Sequence, residues 1–343
     1  IRYYKLYCPP VMRTKYKLTR QQANFWNTVY RKGLGEFAYR NNLDLRHISF
    51  PASPRARPEV FDVDISDRAL VGIGGGKDSA VAVELLKEMQ YPVSGFIVET
   101  YTSHDIAERM CMIGGIGSLT IRRTLDKKIF EALPGAYSGH IPISAVYAFL
   151  GVLSALLYDY RYVVVGNEHS SNFGNVEHKG ETVNHQWSKS AEFESLFQNY
   201  VQEHRTSSIT YFSIVRPFYE IRIGELFARY PKYFPHFTGC NRKFRIDQKK
   251  RPRGLWCTEC AKCAFVFLIL TPFIEREKLI EIFGRNMLDD RALQPLFADV
   301  LGFGEMKPFD CVGPFEGAPA ALLIAREKYA DSAIVQALKM KGR

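Results

Sequence analysis

The sequence predicts an α/β protein built on a doubly wound, mainly parallel sheet. Short runs of β-branched residues alternate with helical patterns from about residue 68 onward, and a run of glycines directly follows the first of them. This alternation is typical of parallel strands joined by right-handed crossovers. Such sheets bind ligands at the carboxyl ends of their strands, so the loops after Ile73, Val98 and Val165 should line the site.

The predicted elements divide the chain into three parts. A helical pattern covers residues 20–40, and the proline-rich joint Pro51, Pro54 and Pro58 follows it. We expect strands at residues 69–73, 93–98, 118–122 and 162–165, and helices at residues 80–89 and 141–158. Beyond Phe283 the pattern indicates only short helices and loops. The predicted domains are a small N-terminal module (1–66), an α/β domain (67–235) and a helical region with a cysteine cluster (236–343).

The composition indicates which kinds of partner and which cellular compartment the protein has. A net charge of +10 would attract polyanions, but the cations are spread along the chain, so an anionic nucleotide-type substrate explains them as well as nucleic acid does. Seven cysteines, an odd number, are unlike a secreted disulfide framework. The apolar residues 141–158 include Pro142 and are interrupted by serines, which favours a buried helix over a membrane span. The cysteine usage fits a reducing compartment, so we expect a cytoplasmic protein.

The glycine run Gly74-Gly75-Gly76-Lys77-Asp78-Ser79 predicts a phosphate-binding turn. Glycines after a buried strand permit positive φ, and their amide groups can converge on an anion at a helix N-terminus. The spacing excludes the common P-loop, which needs glycine at Val71 and serine or threonine at Asp78, and it lacks the last glycine of the dinucleotide fingerprint. The alternative is a strand-to-helix turn that binds nothing.

Two polar runs are candidate active-site loops. Residues 166–172 directly follow a predicted strand, and residues 183–190 precede a helix that Ser188 or Ser190 would cap. Taken singly, His169 and His185 are better explained by structural roles. Their joint appearance beside a nucleotide turn makes a catalytic role as plausible as a structural one.

Four cysteines form a candidate metal site. Cys257, Cys260 and Cys263 have C-x2-C-x2-C spacing, and Cys240 lies upstream, so four thiolates could enclose a tetrahedral zinc ion. The spacing resembles the zinc cluster of 7-cyano-7-deazaguanine synthase, although the gap between the first two cysteines is longer here. Two alternatives stay open: small apolar residues in a reduced core, and a catalytic thiol.

The glycine run also resembles the Ser-Gly-Gly-x-Asp-Ser loop of the PP-loop ATP pyrophosphatase superfamily, which has the adenine nucleotide α-hydrolase-like fold. The resemblance implies that the Gly75 and Gly76 amides and the Ser79 hydroxyl hold departing pyrophosphate. Lys77 would neutralise its charge, and Asp78 would reach Mg²⁺ directly or through water. The first glycine of the run stands where the superfamily usually has serine. The implied ATP site comprises Gly74, Gly75, Gly76, Lys77, Asp78, Ser79, Val98 and Gly166.

A wider set of segments resembles the bacterial UDP-N-acetylmuramoyl-L-alanyl-L-glutamate epimerase family. These segments are residues 8–13, 33–37, 74–79, 166–172, 184–189, 216–217 and 256–263. The resemblance implies inversion of the terminal L-glutamate of a peptidoglycan precursor through a carboxyl adenylate, with AMP and pyrophosphate released from ATP. The substrate-binding residues that it implies are Asn167, Glu168, Asn172, Asn184, Gln186 and Arg216.

Proton transfer at the α-carbon would need acid and base groups. We nominate His169, His185 and Lys189 from the polar runs, with Lys77 as the catalytic cation at the phosphates. Arg242 and Lys262 are looser candidates for holding phosphates or carboxylates. We expect ATP and Mg²⁺ as cofactors, a structural zinc ion in the cysteine cluster, and a small nucleotide-sugar dipeptide as partner, rather than nucleic acid or a membrane.

Two other functions compete with the epimerase. One is a tRNA or nucleobase modification enzyme of the same superfamily, of the thiolation or 7-cyano-7-deazaguanine synthase type. The other is a non-catalytic nucleotide-binding regulator. The first 66 residues contain no RNA-binding motif, which favours the epimerase.

Overall fold

The computed structural model describes residues 1–100, 105–131, 133–245, 247–304, 308–313 and 316–341. Its strands are β1 (Ala69–Gly72), β2 (Val93–Thr100), β3 (Gly117–Arg123), β4 (Tyr162–Val165), β5 (Val176–His178), β6 (Glu181–Val183) and β7 (Thr210–Ser213). Five strands form a parallel central sheet in the order β3-β2-β1-β4-β7. The other two, β5 and β6, form a small antiparallel pair.

Helices cover both faces of the central sheet. They are α1 (Arg20–Gly33), α2 (Gly35–Arg40), α3 (Lys77–Glu88), α4 (Ile106–Gly114), α5 (Ile143–Tyr158), α6 (Ala191–His204), α7 (Glu220–Ala228), α8 (Ala261–Leu270), α9 (Arg276–Phe283), α10 (Gln294–Val300), α11 (Gly317–Ile324) and α12 (Ala333–Lys341). On one face, α3, α4, α7 and α8 share a core with Val71 and Val164. On the other, α1, α5 and α6 share a core with Leu70 and Val163. Neighbouring strand residues enter opposite cores because side chains alternate along a strand. The predicted doubly wound α/β fold is confirmed.

Some elements begin or end at residues other than those predicted. The helical pattern at residues 20–40 is two helices, because the chain bends at Leu34, and Gly33 packs where a Cβ would lie 2.8 Å from Pro142. The helix predicted from residue 80 begins earlier, at Lys77, since the glycine turn leads straight into it. The sequence analysis does not predict strands β5, β6 and β7. Strands β5 and β6 have three residues each, too few for an alternating pattern, and β7 has the sequence TYFS instead of the β-branched run YVVV of β4.

The first helix joins the N-terminal module to the sheet. Helix α1 starts with a capping box, in which Thr19 and Gln22 each accept a hydrogen bond from the other's backbone N–H. Phe25 on α1 stacks on Tyr200 of α6, with ring centroids 4.0 Å apart. The predicted domain boundaries stay a prediction.

The C-terminal part is built around α8, all of whose residues are buried. Helices α7, α10 and α11 pack against it. Its N-terminal residues, Lys262 and Cys263, are thereby held between the sheet and the C-terminal helices. Within the described residues, no helix is both long enough and apolar enough to cross a membrane.

Candidate functional site

The glycine turn leaves the carboxyl end of β1 and leads into α3. Gly75 has φ +88°, and a Cβ there would lie 2.7 Å from Cγ2 of Ile106. Gly76 is the N-cap of α3, and its carbonyl accepts a hydrogen bond from Ser79 Oγ at 3.0 Å. An anion at this helix end would meet backbone amides and the positive end of the helix dipole.

Two other segments close on the turn. The backbone N–H of Thr238 donates to the Gly75 carbonyl at 2.9 Å. Gly166 follows β4 and packs on α3, where a Cβ would lie 2.9 Å from the carbonyl oxygen of Asp78. The turn and Gly166 are thus brought together at one edge of the sheet, as predicted for parallel strands. Val98 is partly buried on β2 and packs into the core that contains α5.

Lys77 and Asp78 form an ion pair in the first turn of α3. The side chain of Lys77 is 3% exposed and that of Asp78 is 26% exposed. Burial opposes the charge on Lys77, but Asp78, Glu220 and Glu168 raise its pKa. Burial also opposes the charge on Asp78, but Lys77 and two further lysines lower its pKa. The turn therefore presents a fixed cation and a fixed carboxylate, which suit a phosphate and a magnesium ion.

The loop after β4 is anchored on β7. Ser213 Oγ accepts from Asn167 N at 2.9 Å and donates to Asn167 O at 2.7 Å. Glu168 and Glu220 are both buried, and Ser170 donates a hydrogen bond to Glu220. Burial, followed by the nearby charge of Glu168, raises the pKa of Glu220. Glu220 thus adds a protonatable carboxyl group to the site, and the sequence analysis did not single it out.

Arg216 connects the two polar runs. Its guanidinium donates to the carbonyl oxygens of Glu168 at 2.9 Å and Lys189 at 2.6 Å. It also donates to Ser171 Oγ at 2.9 Å and pairs with Glu194 at 2.6 Å. These contacts fix the backbone of Lys189 relative to the loop after β4. Direct contact with substrate stays a prediction for Arg216.

The amide side chains predicted to bind substrate lie close to these runs. Asn172 accepts a hydrogen bond at 2.7 Å from the first backbone N–H of α6. Asn184 Nδ2 donates to the Ser171 carbonyl at 2.8 Å. Gln186 Nε2 donates to the Val312 carbonyl at 3.4 Å, but its buried Oε1 lacks a hydrogen-bond partner among the described residues. An unsatisfied buried acceptor is costly unless a ligand or water pairs with it.

The two nominated histidines have different surroundings. His169 is partly exposed, and its ring packs on Tyr219 with centroids 4.6 Å apart. Nδ1 of His185 hydrogen-bonds the buried carboxylate of Glu36, which also pairs with Arg40 at 2.6 Å and lies 3.4 Å from Nδ1 of His140. Burial opposes the charge on His185, but hydrogen bonds with a nearby thiol and with Glu36 raise its pKa to about 9. His185 therefore belongs to a charged cluster.

The thiol beside His185 is Cys311, which the sequence analysis missed. Its Sγ lies 3.7 Å from Lys189 Nζ, and its carbonyl accepts a hydrogen bond from Lys262. Burial opposes its ionisation, but Lys189 and His185 lower its pKa to about 6. In the sequence, Cys311 is an isolated cysteine in a stretch without periodicity, so no local signal distinguishes it.

The four cysteines of the predicted metal site do come together. The sulfurs of Cys240, Cys257, Cys260 and Cys263 all lie within 4.8 Å of one another. The Cys263 sulfur is 3.7 Å from that of Cys257 and 3.5 Å from that of Cys260. The sulfurs of a zinc tetrahedron are about 3.8 Å apart, given Zn–S bonds of about 2.3 Å. The cluster therefore has the ligand number and spacing of a metal site.

A cavity of about 690 Å³ lies beside the second polar run rather than at the glycine turn. Asn172 and Asn184 line it, together with Lys32 of α1 and Lys179 of the β5–β6 turn. It thus combines residues of the N-terminal module with two of the residues predicted to bind substrate.

Comparison with known proteins points to one family. Residues 1–214 match the model of the MurL N-terminal domain and residues 236–342 that of the MurL C-terminal domain. The chain is 40% identical to a UDP-N-acetyl-alpha-D-muramoyl-L-alanyl-L-glutamate epimerase of Xanthomonas oryzae pv. oryzae, over 98% of this chain and 75% of that protein. It is 35% identical to the enzyme of the same name from a Micromonospora species, over 98% and 75%.

The matches among solved structures are weaker. A predicted subunit of tRNA methyltransferase from Methanocaldococcus jannaschii is 20% identical with a TM-score of 0.32, over 48% of this chain and 76% of that one. The U34-tRNA thiolase NcsA from Methanococcus maripaludis is 12% identical with a TM-score of 0.30, over 47% and 56%. Likenesses at these TM-scores carry no information about activity.

Proposed function

This chain belongs to the MurL family, and from that premise we propose that it inverts the terminal L-glutamate of UDP-N-acetylmuramoyl-L-alanyl-L-glutamate at the expense of ATP. The epimerase acts in peptidoglycan precursor synthesis. The observation that supports ATP use is the glycine turn, which presents backbone amides, Lys77 and Asp78 together at the start of α3.

The substrate itself explains the need for ATP. The nitrogen of the terminal glutamate is an amide, so it cannot form the Schiff base on which pyridoxal enzymes depend. Removing the α-proton beside a free carboxylate would place a second negative charge next to the first. Converting the carboxylate to an acyl adenylate removes that charge and supplies a carbonyl that can accept the electron pair.

We assign the first step to the glycine turn. The substrate carboxylate attacks the α-phosphorus of ATP, and the bond to the β-phosphate oxygen breaks as pyrophosphate leaves. Gly75, Gly76 and Ser79 would hold the pyrophosphate, and Lys77 would neutralise its charge. The partly exposed carboxylate of Asp78 is the group that would hold Mg²⁺.

For the second step we keep His185 and Lys189 as acid/base candidates. Both lie in the charged cluster around Cys311, whereas the described ring contacts of His169 are aromatic. The nucleotide-sugar end of the substrate would extend toward the 690 Å³ cavity, which Asn172 and Asn184 line. Hydrolysis of the adenylate after inversion would release AMP and the D-glutamyl product.

For the cysteine cluster we propose a structural zinc ion. Cys260 is the N-cap of α8, and Cys263 lies on that helix, while Cys240 comes from the segment that follows Thr238. Thr238 also holds the glycine turn through Gly75. Four thiolates bound to one ion would therefore connect α8 to the segment that contacts the ATP-binding turn, and so stabilise the turn.

The test is pyrophosphate release from ATP by the purified chain. We expect release that depends on UDP-N-acetylmuramoyl-L-alanyl-L-glutamate, together with D-glutamate in the product after acid hydrolysis. UDP-N-acetylmuramoyl-L-alanine is the matched control, because it lacks the terminal glutamate whose α-carboxylate would be activated. Release that required RNA instead, or no release at all, would contradict the proposal.

A further inference from the structure

We infer that Cys311 is an acid/base group that exchanges a proton with the α-carbon of the substrate glutamate. This inference rests on the proposed epimerase function and adds a catalytic residue to it. It comes from the contacts of Cys311 in the folded chain, since its local sequence carries no motif.

The thiol lies inside a group of cations. Lys189 Nζ is 3.7 Å from its sulfur, and the nearby His185 also lowers the pKa of this thiol. Lys262 donates to the backbone carbonyl of Cys311. A thiol that is partly exposed and surrounded by positive groups is the environment of a reactive cysteine, whereas a structural cysteine is buried among apolar side chains.

The cations around the thiol are themselves fixed by further residues. Glu36 orients His185 through a hydrogen bond to Nδ1. A carboxylate orients the imidazole in the same way in catalytic triads. Arg216 holds the backbone of Lys189 at 2.6 Å. The thiolate on Cys311 therefore has an oriented imidazolium on one side and an oriented ammonium on another.

The loop that carries Cys311 is attached directly to the proposed ATP and substrate site. Gln186 hydrogen-bonds the carbonyl of Val312, and Gly313 packs where a Cβ would lie 2.7 Å from the Glu220 carboxylate. Both Gln186 and Glu220 are at least nine-tenths buried, and each has one oxygen without a hydrogen-bond partner among the described residues. Two buried polar atoms without partners beside this loop indicate that a polar ligand binds here.

Two of these lysines also lie near the ATP-binding turn. Lys189 and Lys262 lower the pKa of Asp78 as well as that of Cys311. A carboxyl group that has been adenylated at the turn would therefore lie near the thiol. Adenylation and proton transfer can then occur without moving the substrate between distant sites.

The thiolate of Cys311 takes the α-proton, an S–H bond forms, and the C–H electron pair moves into the acyl adenylate carbonyl. An acid on the opposite face of the α-carbon then gives the carbon a proton. The Cys311 thiol afterwards loses its proton to solvent and that acid regains one from solvent, so one turnover consumes no proton.

Cys311→Ala and Cys311→Ser test the inference in the full chain. Adenylation precedes the proton transfer, so both variants should still release pyrophosphate when the muramoyl dipeptide is present. Incorporation of deuterium from heavy water at the glutamate α-carbon should fall at least about 100-fold. If either variant incorporated deuterium at the wild-type rate, the inference about Cys311 would be wrong, but the proposed function would stand. If the wild-type chain itself released no pyrophosphate with the dipeptide, the proposed function would fail and the inference with it.

Alkylation of the wild-type chain gives a test that does not depend on how the variants fold. Iodoacetamide at neutral pH should modify Cys311 faster than the partly exposed Cys8, whose pKa burial raises. Lys189→Met should slow the modification of Cys311, whereas Lys179→Met, which changes an exposed lysine, should not. Faster modification of Cys8 would overturn the inference. A dipeptidyl thioester on Cys311, found by mass spectrometry after acid quenching, would also overturn it in favour of a nucleophilic role.

Discussion

Gly166 packs so closely on Asp78 that a Cβ at position 166 would lie 2.9 Å from the Asp78 carbonyl oxygen. This contact brings the loop after β4 against the start of α3, where the glycine turn ends. The neighbour is backbone within a helix, which cannot yield as the end of a flexible side chain can. A side chain at position 166 would therefore separate the two halves of the proposed ATP site.

We expect Gly166→Ala to lose most ATP-dependent pyrophosphate release, because the loop and α3 must move apart. Gly117→Ala on β3 is the matched control: its added Cβ would meet no atom within 4 Å, and it lies outside the proposed ATP site. The control should keep its activity and its affinity for ATP. The prediction is checked by measuring pyrophosphate release and ATP binding for both variants, and equal losses would contradict it.

Arg216→Ala should destabilise the fold by about 1.5–3 kcal/mol, the usual contribution of hydrogen bonds to a charged group, because it removes a partly buried ion pair and the hydrogen bonds to the polar runs. The side chains of Arg216 and Glu194 are each only 15% exposed. Arg222→Ala removes an exposed pair with Glu225 and should cost less than about 1 kcal/mol. Urea unfolding of the two variants compares these free energies directly. A similar cost for both would show that Arg216 does not anchor the polar runs.

The cysteine cluster should contain one zinc ion per chain when the protein is purified without chelators. Cys260→Ser should lose the metal and melt at a lower temperature, because four-coordinate structural sites contribute directly to folding. Cys8→Ser changes a cysteine outside the cluster and should keep both properties. Elemental analysis and thermal melting check the prediction. Absence of metal from the wild-type chain, or iron in place of zinc, would refute the assignment.

Because His185 is charged in the folded protein, the free energy of unfolding should fall as the pH rises into the alkaline range. Burial opposes the charge on His185, but Cys311 and Glu36 raise its folded pKa to about 9. Arg40 also pairs with Glu36, and burial lowers the pKa of His140 to about 4, so that ring is neutral in this pH range. A raised pKa stabilises the fold fully below the unfolded value of about 6.5, and this contribution is lost as pH rises through about 9.

Glu36→Gln should lower the pKa of His185 and so move this loss of stability to lower pH. Glu181→Gln changes an exposed carboxylate on β6 and should leave the profile as it is. Melting temperatures measured across neutral and alkaline pH give both profiles. If the Glu36→Gln profile coincided with that of the wild type, Glu36 would not support the charge on His185.

Much of the α/β fold was predictable because its signals are local. The strand at Ala69–Gly72, the glycines after it and the helix from Lys77 follow each other within a short stretch of sequence. The four cysteines were likewise predictable as a group, since ligand spacing on a chain restricts where the sulfurs can meet. Strand β7 was not, because its four residues depend on pairing with β4 rather than on their own pattern.

The sequence by itself determined the glycine turn, the parallel sheet around it and the family to which the chain is related. Only the tertiary structure decided which side chains share the site: Glu220, Glu36 and Cys311 come from segments far apart in the chain. Periodicity and spacing report on neighbours along the chain, whereas a buried charge cluster is defined by neighbours in space. The environment of Cys311 depends on Lys189 and His185, which lie more than a hundred residues before it.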